Sequence, residues 1–181
     1  MLRPLYQLAF RLLGWKVVGQ MPAIPKFIVA VAPHTSNWDF LLGVAARSIL
    51  RIRDAQFLGK SQLFMPPFGW FFRWLGGHPV DRASSHDMVD QVVRYFDMHE
   101  KFILALAPEG TRKKVTKLRT GFYYIAKAAR VPIVPVGFDY ANKAVVIRDA
   151  YYPTDNVEKD METLLQFYRS VKGKNPELGL E

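Results

Sequence analysis

The chain has no cysteine among its 181 residues. That excludes disulfides, thiolate metal sites and a cysteine-bound acyl intermediate. It also lacks a G-x-S-x-G elbow, so a serine acyl-enzyme of the hydrolase type is not expected. No uncharged apolar run reaches the roughly 18–20 residues that a membrane-crossing helix needs. The charge-free stretch Ser61 to Phe72 is too short and is broken by Pro66, Pro67 and Gly69. Nor does the start, MLRPLYQLAFRLLGWK, read as a signal peptide, because Arg11 interrupts its apolar part and no small-residue cleavage site follows. The expected location is therefore the cytoplasmic side. There is no internal repeat and no low-complexity segment.

What the chain does have is positive charge. Its 25 Lys+Arg against 16 Asp+Glu give a formal net charge of +9, and 14% of residues are aromatic. Such an excess favours an anionic partner: nucleic acid, an anionic membrane surface or a phosphorylated substrate. Basic and aromatic residues together suit single-stranded nucleic acid and membrane interfaces alike.

Half the residues are hydrophobic, which suits one globular domain. Residues 4–14 read as a short helix whose Arg3, Gln7 and Arg11 make a thin polar stripe, with Leu5, Leu8, Phe10, Leu12 and Leu13 over the rest. That face fits a membrane interface or the protein's own core. We treat residues 1–20 as an amphipathic interfacial segment and 21–181 as a single domain. Strand-like runs at Phe27–Ala32, Ala55–Leu58, His78–Val80, Phe102–Ala107, Val131–Val136 and Ala144–Ile147 alternate with helical spacing. The helices are expected at Trp38–Leu50, Asp87–Met98, Gly121–Ala129 and around Met161, Leu164, Leu165 and Tyr168, with a partly helical aromatic run at Leu63–Leu75. This alternation predicts an α/β fold with a mixed, largely parallel sheet flanked by helices. The tail KGKNPELGLE is expected to fray.

In open α/β sheets, functional residues gather beyond the carboxyl ends of strands. His34 and Asp39 follow the strand KFIVAVA, Glu109 and Arg112 follow FILALA, and Asp81 with Arg82 ends GGHPVDR. A histidine whose tautomer is fixed by a carboxylate can deprotonate a hydroxyl. With no protein nucleophile at hand, direct attack by a substrate hydroxyl is the natural chemistry. Ser36 and Asp39 also have the S-x-x-D spacing of a helix capping box, and on the nine residues APHTSNWDF alone capping is the favoured reading. In PEGTRKK, Gly110 permits close backbone approach and Arg112 can grip a phosphate with two parallel bonds. Five of the eight residues from Arg112 to Arg119 are basic, which fits either an anion site or a solvated loop.

Taken together these segments resemble the glycerolipid acyltransferase family, which includes the 1-acylglycerol-3-phosphate acyltransferases. The family's H-x4-D block is similar to His34–Asp39, its glycine-containing strand ending in Asp-Arg to Gly76–Arg82, its P-E-G-T-R block to Pro108–Arg112, and its V-P-[IV]-[VI]-P-V block to Val131–Val136. Lys60, Arg119 and Gly121 resemble further family positions. Four blocks in family order, spanning roughly residues 30–137, outweigh the capping reading. The resemblance implies a glycerol-3-phosphate acyltransferase-like fold with His34 as general base and Asp39 orienting it. It further implies Glu109, Gly110, Thr111 and Arg112 as ligands of the acceptor's phosphate, with Arg82 helping and Lys60, Asp81 and Arg119 supporting. His78 and Pro79 depart from the apolar residues usual in the second block, and the chain is shorter than most members.

The expected activity is thus transfer of a fatty acyl group from acyl-CoA or acyl carrier protein to a lysophospholipid hydroxyl, at a membrane surface and without metal, cofactor or nucleic acid. The aromatic run PPFGWFFRW and the N-terminal helix would touch the bilayer, core packing being the other reading of the run's aromatics. A thioester or ester hydrolase is the nearest alternative, and a non-enzymatic membrane or nucleic-acid binding module the next.

Overall fold

KFIVAVA and IVPVGFD are apolar at nearly every position, which suits strands covered on both faces. The computed structural model describes residues 2–52, 54–80 and 85–180, with the side chains of 60, 80 and 85–87 left aside. In chain order the elements are α1 (Arg3–Leu13), β1 (Lys16–Val18), β2 (Lys26–Ala32), α2 (Trp38–Ile49) and β3 (Ala55–Lys60). Next come α3 (Gly69–Trp74), β4 (Gly77–Val80), α4 (Ser85–Met98), β5 (Phe102–Leu106) and α5 (Gly121–Ala129). The chain continues through β6 (Ile133–Asp139), β7 (Ala144–Ile147) and α6 (Val157–Arg169). Two short 3-10 turns lie at Ser61–Phe64 and Pro176–Leu178.

The strands form one seven-stranded sheet in the order β1-β7-β6-β2-β5-β3-β4. Pairing is parallel from β6 to β4; β7 runs antiparallel to β6, and β1 pairs parallel with β7. The expected mixed, largely parallel sheet flanked by helices is what forms. One face carries α4, α5 and α6, whose Val92, Phe96, Tyr123, Leu164 and Tyr168 bury against Ile28, Ala30 and Leu104. The other carries α1 and α2, with Phe10, Leu42, Ala45 and Ala46 against Val29, Val134 and Phe138.

α1 settles between the two fates its sequence left open. Phe10 is buried, while Leu5, Leu8, Leu12 and Leu13 remain exposed. The helix ends at Gly14, whose φ of 74° lets its N–H reach Arg11 O and Trp15 N–H reach Phe10 O. Immediately afterwards Lys16–Val18 joins the sheet, a strand too short for its pattern to be read.

Two further departures from expectation bear on the site. β6 runs on to Asp139 rather than stopping at Val136, because β7 pairs back along it from Val136 to Asp139. The tail expected to fray is held in place. Lys172 O accepts the Tyr140 N–H at 2.8 Å, and Asn175 donates to Thr35 through its backbone N–H (3.1 Å to Oγ1) and its amide (2.9 Å to O). A Cβ on Gly173 would sit 2.8 Å from Thr35 Oγ1, so glycine is what allows this approach.

Candidate active site

β2 and β5 are adjacent and parallel, with Ala30 opposite Leu106. The chain leaves β2 for α2 on one face of the sheet and leaves β5 for α5 on the other. Their carboxyl-end loops therefore part to opposite faces and leave a crevice, the usual binding place in such sheets. His34 and Glu109 enter it from the two loops.

Asp39 sits at the start of α2 and is only 2% exposed. Its Oδ2 accepts the N–H groups of Thr35 (2.9 Å) and Ser36 (2.8 Å), while Ser36 Oγ accepts the Trp38 N–H at 3.2 Å. Asp39 thus makes the returning half of the capping box, whereas the Ser36 hydroxyl bonds the Trp38 N–H, one position short of Asp39. The same Oδ2 lies 3.3 Å from His34 Nδ1. Capping and pairing with His34 are thus not alternatives, since one carboxylate does both. With Nδ1 facing the carboxylate, the proton is assigned there and Nε2 keeps its lone pair. Arg112 Nε approaches Nε2 at 3.4 Å, as a donor to that lone pair would. Burial lowers the proton affinity of His34; the Asp39 charge opposes this and Arg112 adds to it. His34 is therefore neutral, and available as a base, at neutral pH.

Glu109 faces inward. Its carboxylate is 2% exposed and its Oε2 accepts the His34 backbone N–H at 2.7 Å, so it braces the histidine turn from within instead of presenting a charge to solvent. Burial raises its pKa to about 7, with the His34 N–H pulling the other way and Asp39 adding to the rise. The unfolded chain releases this proton near 4.5, whereas the folded protein holds it until about 7. The linked stability is full below pH 4.5 and is lost as the pH rises to 7, up to about 3 kcal/mol. Glu109→Gln keeps an acceptor for the His34 N–H but cannot titrate. Urea unfolding at pH 5 and 7.5 should then show a smaller fall in stability than in the wild type. His34 titrates in the opposite sense in both proteins, so the difference between them reports mainly Glu109.

The basic loop closes through the Arg119 N–H, which donates to Pro108 O at 2.8 Å. Gly110 has a φ of +65°, and a Cβ there would come within 2.6 Å of Arg119 Nε. The positive φ favours glycine, and a Cβ would also make the Arg119 side chain shift. The loop thereby brings Arg119 to Arg112 and Thr111, and a small cavity of about 400 Å³ between Glu109, Thr111, Lys114 and Arg119 lies within it. A far larger cavity of about 1550 Å³ opens beside His34, Asp39 and Arg112. Its walls are mostly apolar and include Val31, Phe40, Leu58, Leu106 and Phe122.

The site therefore brings together His34, Asp39, Glu109, Gly110, Thr111, Arg112 and Arg119. Asp81 and Arg82 lie outside the described residues, and Lys60 ends β3 with its side chain likewise not described. His78 stands apart, its ring 5.3 Å from that of Tyr95 on α4, which fits a strand-edge role. Among the described residues no group of three or more His, Asp or Glu could hold a metal ion. Sequence reasoning missed Thr35, Tyr140 and Asn175. Tyr140 donates its hydroxyl to Asp39 Oδ1 at 2.7 Å from 101 positions away, a distance that no local pattern spans.

A family model described as Acyltransferase matches residues 16–139. The 1-acyl-sn-glycerol-3-phosphate acyltransferase of Salmonella typhimurium is 32% identical over 135 residues, covering 69% of this chain and 53% of that protein. That of Escherichia coli K12 is 31% identical over 115 residues, covering 60% and 45%. The chain spans about half the length of these curated relatives. The crystal structure of the 1-acyl-sn-glycerophosphate (LPA) acyltransferase PlsC from Thermotoga maritima shares the fold, with a TM-score of 0.63 at 22% identity over 92% of this chain and 74% of that one. With its model matched over more than half the length and the H-x4-D pair assembled in the crevice, the chain belongs to the acyltransferase family.

Proposed function

We propose that the protein transfers a fatty acyl group from an acyl thioester, of CoA or acyl carrier protein, to the hydroxyl of a lysophospholipid, with 1-acylglycerol-3-phosphate as the first candidate. The observation that carries this reading is that His34 Nε2 meets Arg112, suited to a phosphate, where both line a mostly apolar cavity of about 1550 Å³ that also takes in Arg119. That volume exceeds the roughly 300–1,000 Å³ of most small-ligand pockets and suits long hydrocarbon. The names of the curated relatives support the same acceptor.

In the reaction, Arg112 leaves His34 Nε2 to grip the acceptor's phosphate, with Arg119 and the Thr111 hydroxyl beside it. His34 Nε2 takes the proton of the acceptor hydroxyl as its oxygen attacks the thioester carbonyl. The carbon–sulfur bond then breaks, and the imidazolium returns its proton to the departing thiolate. Asp39 stabilises the imidazolium in between. The products are an ester and a free thiol, and no covalent enzyme intermediate is needed.

Membrane attachment from the cytoplasmic side would bring the lysolipid to this crevice. Among the described residues, all but three of the exposed large hydrophobic side chains fall between residues 2 and 74, including Leu12 of α1 and Trp70 and Trp74 of α3. No helix among them is long and apolar enough to cross a membrane. Aromatic and leucine side chains beside Arg3, Arg11 and Arg73 suit an anionic interface.

A panel of lysolipids with labelled acyl-CoA and acyl carrier protein, run with and without acceptor, tests the reading. Thiol release should depend on a phosphorylated acceptor, and Arg112→Ala should raise the acceptor KM by about tenfold or more with a smaller effect on the donor. Thiol release that stays fast without acceptor would make the protein a hydrolase. Full activity of Arg112→Ala on every acceptor would remove the phosphate role.

A further inference from the structure

We infer that Tyr140 is a positioning residue for the proposed transfer: its hydroxyl fixes the plane of the Asp39 carboxylate, and so the direction in which His34 presents Nε2. The inference rests on that reading of the site but extends it to a residue just beyond β6 and beyond the matched family region.

Asp39 Oδ2 accepts the Thr35 and Ser36 N–H groups and lies 3.3 Å from His34 Nδ1. Three contacts converging on one oxygen fix that atom but leave the carboxylate free to swing Oδ1 about it. Oδ1 is held by the Tyr140 hydroxyl at 2.7 Å. Because Asp39 is buried, Oδ1 would otherwise be an unpaired charged acceptor. Tyr140 is itself anchored on two sides. Its backbone N–H donates to Lys172 O, and the Trp15 ring meets its own edge-on, centroids 5.1 Å apart at 90°. Burial and the neighbouring Asp39 both raise the proton affinity of the hydroxyl, so it remains a donor throughout the working range. The tail strap and the junction of α1 with β1 thus converge on one tyrosine, whose hydroxyl holds the second oxygen of Asp39.

Tyr140→Phe removes only the oxygen and keeps the ring against Trp15. In acyl transfer, kcat should fall about tenfold while both KM values stay within about twofold. Relieved of one donor, the Asp39 charge acts more strongly on His34. The acid limb of the pH–rate profile should therefore move to higher pH. An NMR titration of the imidazoles without any substrate should report the same upward move for His34, with His78 and His99 unchanged. Unaltered kcat, or a His34 titration that coincides with the wild type's, overturns the inference, including the case where activity falls only because the protein melts earlier. If the wild type transfers no acyl group, the proposed reaction fails, and the NMR comparison still decides whether Tyr140 governs His34.

Discussion

His34→Ala is expected to lower acyl-transfer turnover by about 10³-fold while leaving binding to anionic lipid vesicles intact. General-base catalysis by a positioned histidine contributes about 10²–10⁴-fold. Here His34 is the one histidine among the described residues that line the apolar cavity, and its Nε2 meets Arg112 there. The loss should fall on kcat, since the groups proposed to hold acceptor and donor remain. Folding should be spared, because Asp39 Oδ2 keeps the Thr35 and Ser36 N–H groups and the start of α2 stays capped. The wild type's pH profile checks the same atom. Burial lowers the His34 pKa below 6.5, so the rate should hold down to pH 6.5 and fall only below it, as the base becomes protonated. An alanine variant with more than a tenth of wild-type turnover would exclude His34 as the base.

What could be read from the sequence was chemistry carried by neighbours along the chain. His34 and Asp39 are five positions apart and the basic loop is continuous, so both could be located, although the pair read as a helix cap until the other blocks stood behind it in family order. The fold class followed from alternating strand and helix patterns. Direction was harder to read. Glu109 was grouped with the phosphate ligands by its place in PEGTR, yet its side chain turns inward to the His34 N–H, an orientation set by tertiary packing. The supports were invisible for a related reason. Asn175 reaches Thr35 across 140 residues and Tyr140 reaches Asp39 across 101, and neither sits in a pattern that marks it. The tail's composition resembles that of a frayed end, and its bonds to Tyr140 and Thr35, with Gly173 close against Thr35, make it a strap.

Asp39→Asn separates charge from structure more cleanly than any other substitution in the site. Asparagine keeps one carbonyl oxygen, which can take the place of Oδ2 and accept the Thr35 and Ser36 N–H groups. Its amide then faces Tyr140, whose hydroxyl can turn from donor to acceptor. The cap and the fold should therefore survive, with a melting temperature within a few degrees of the wild type. Catalysis should not. A neutral partner neither stabilises the imidazolium nor holds Nδ1 protonated with the same preference, and turnover should fall about 10³-fold or more. Asp39→Ala provides the contrast: it strips the acceptor from the buried Thr35 N–H, at a cost of about 1–3 kcal/mol for that group alone. Both variants should be inactive, but only the alanine protein should melt markedly earlier. If the asparagine variant lost stability as alanine does yet kept its turnover per folded molecule, Asp39 would be a helix cap and nothing more.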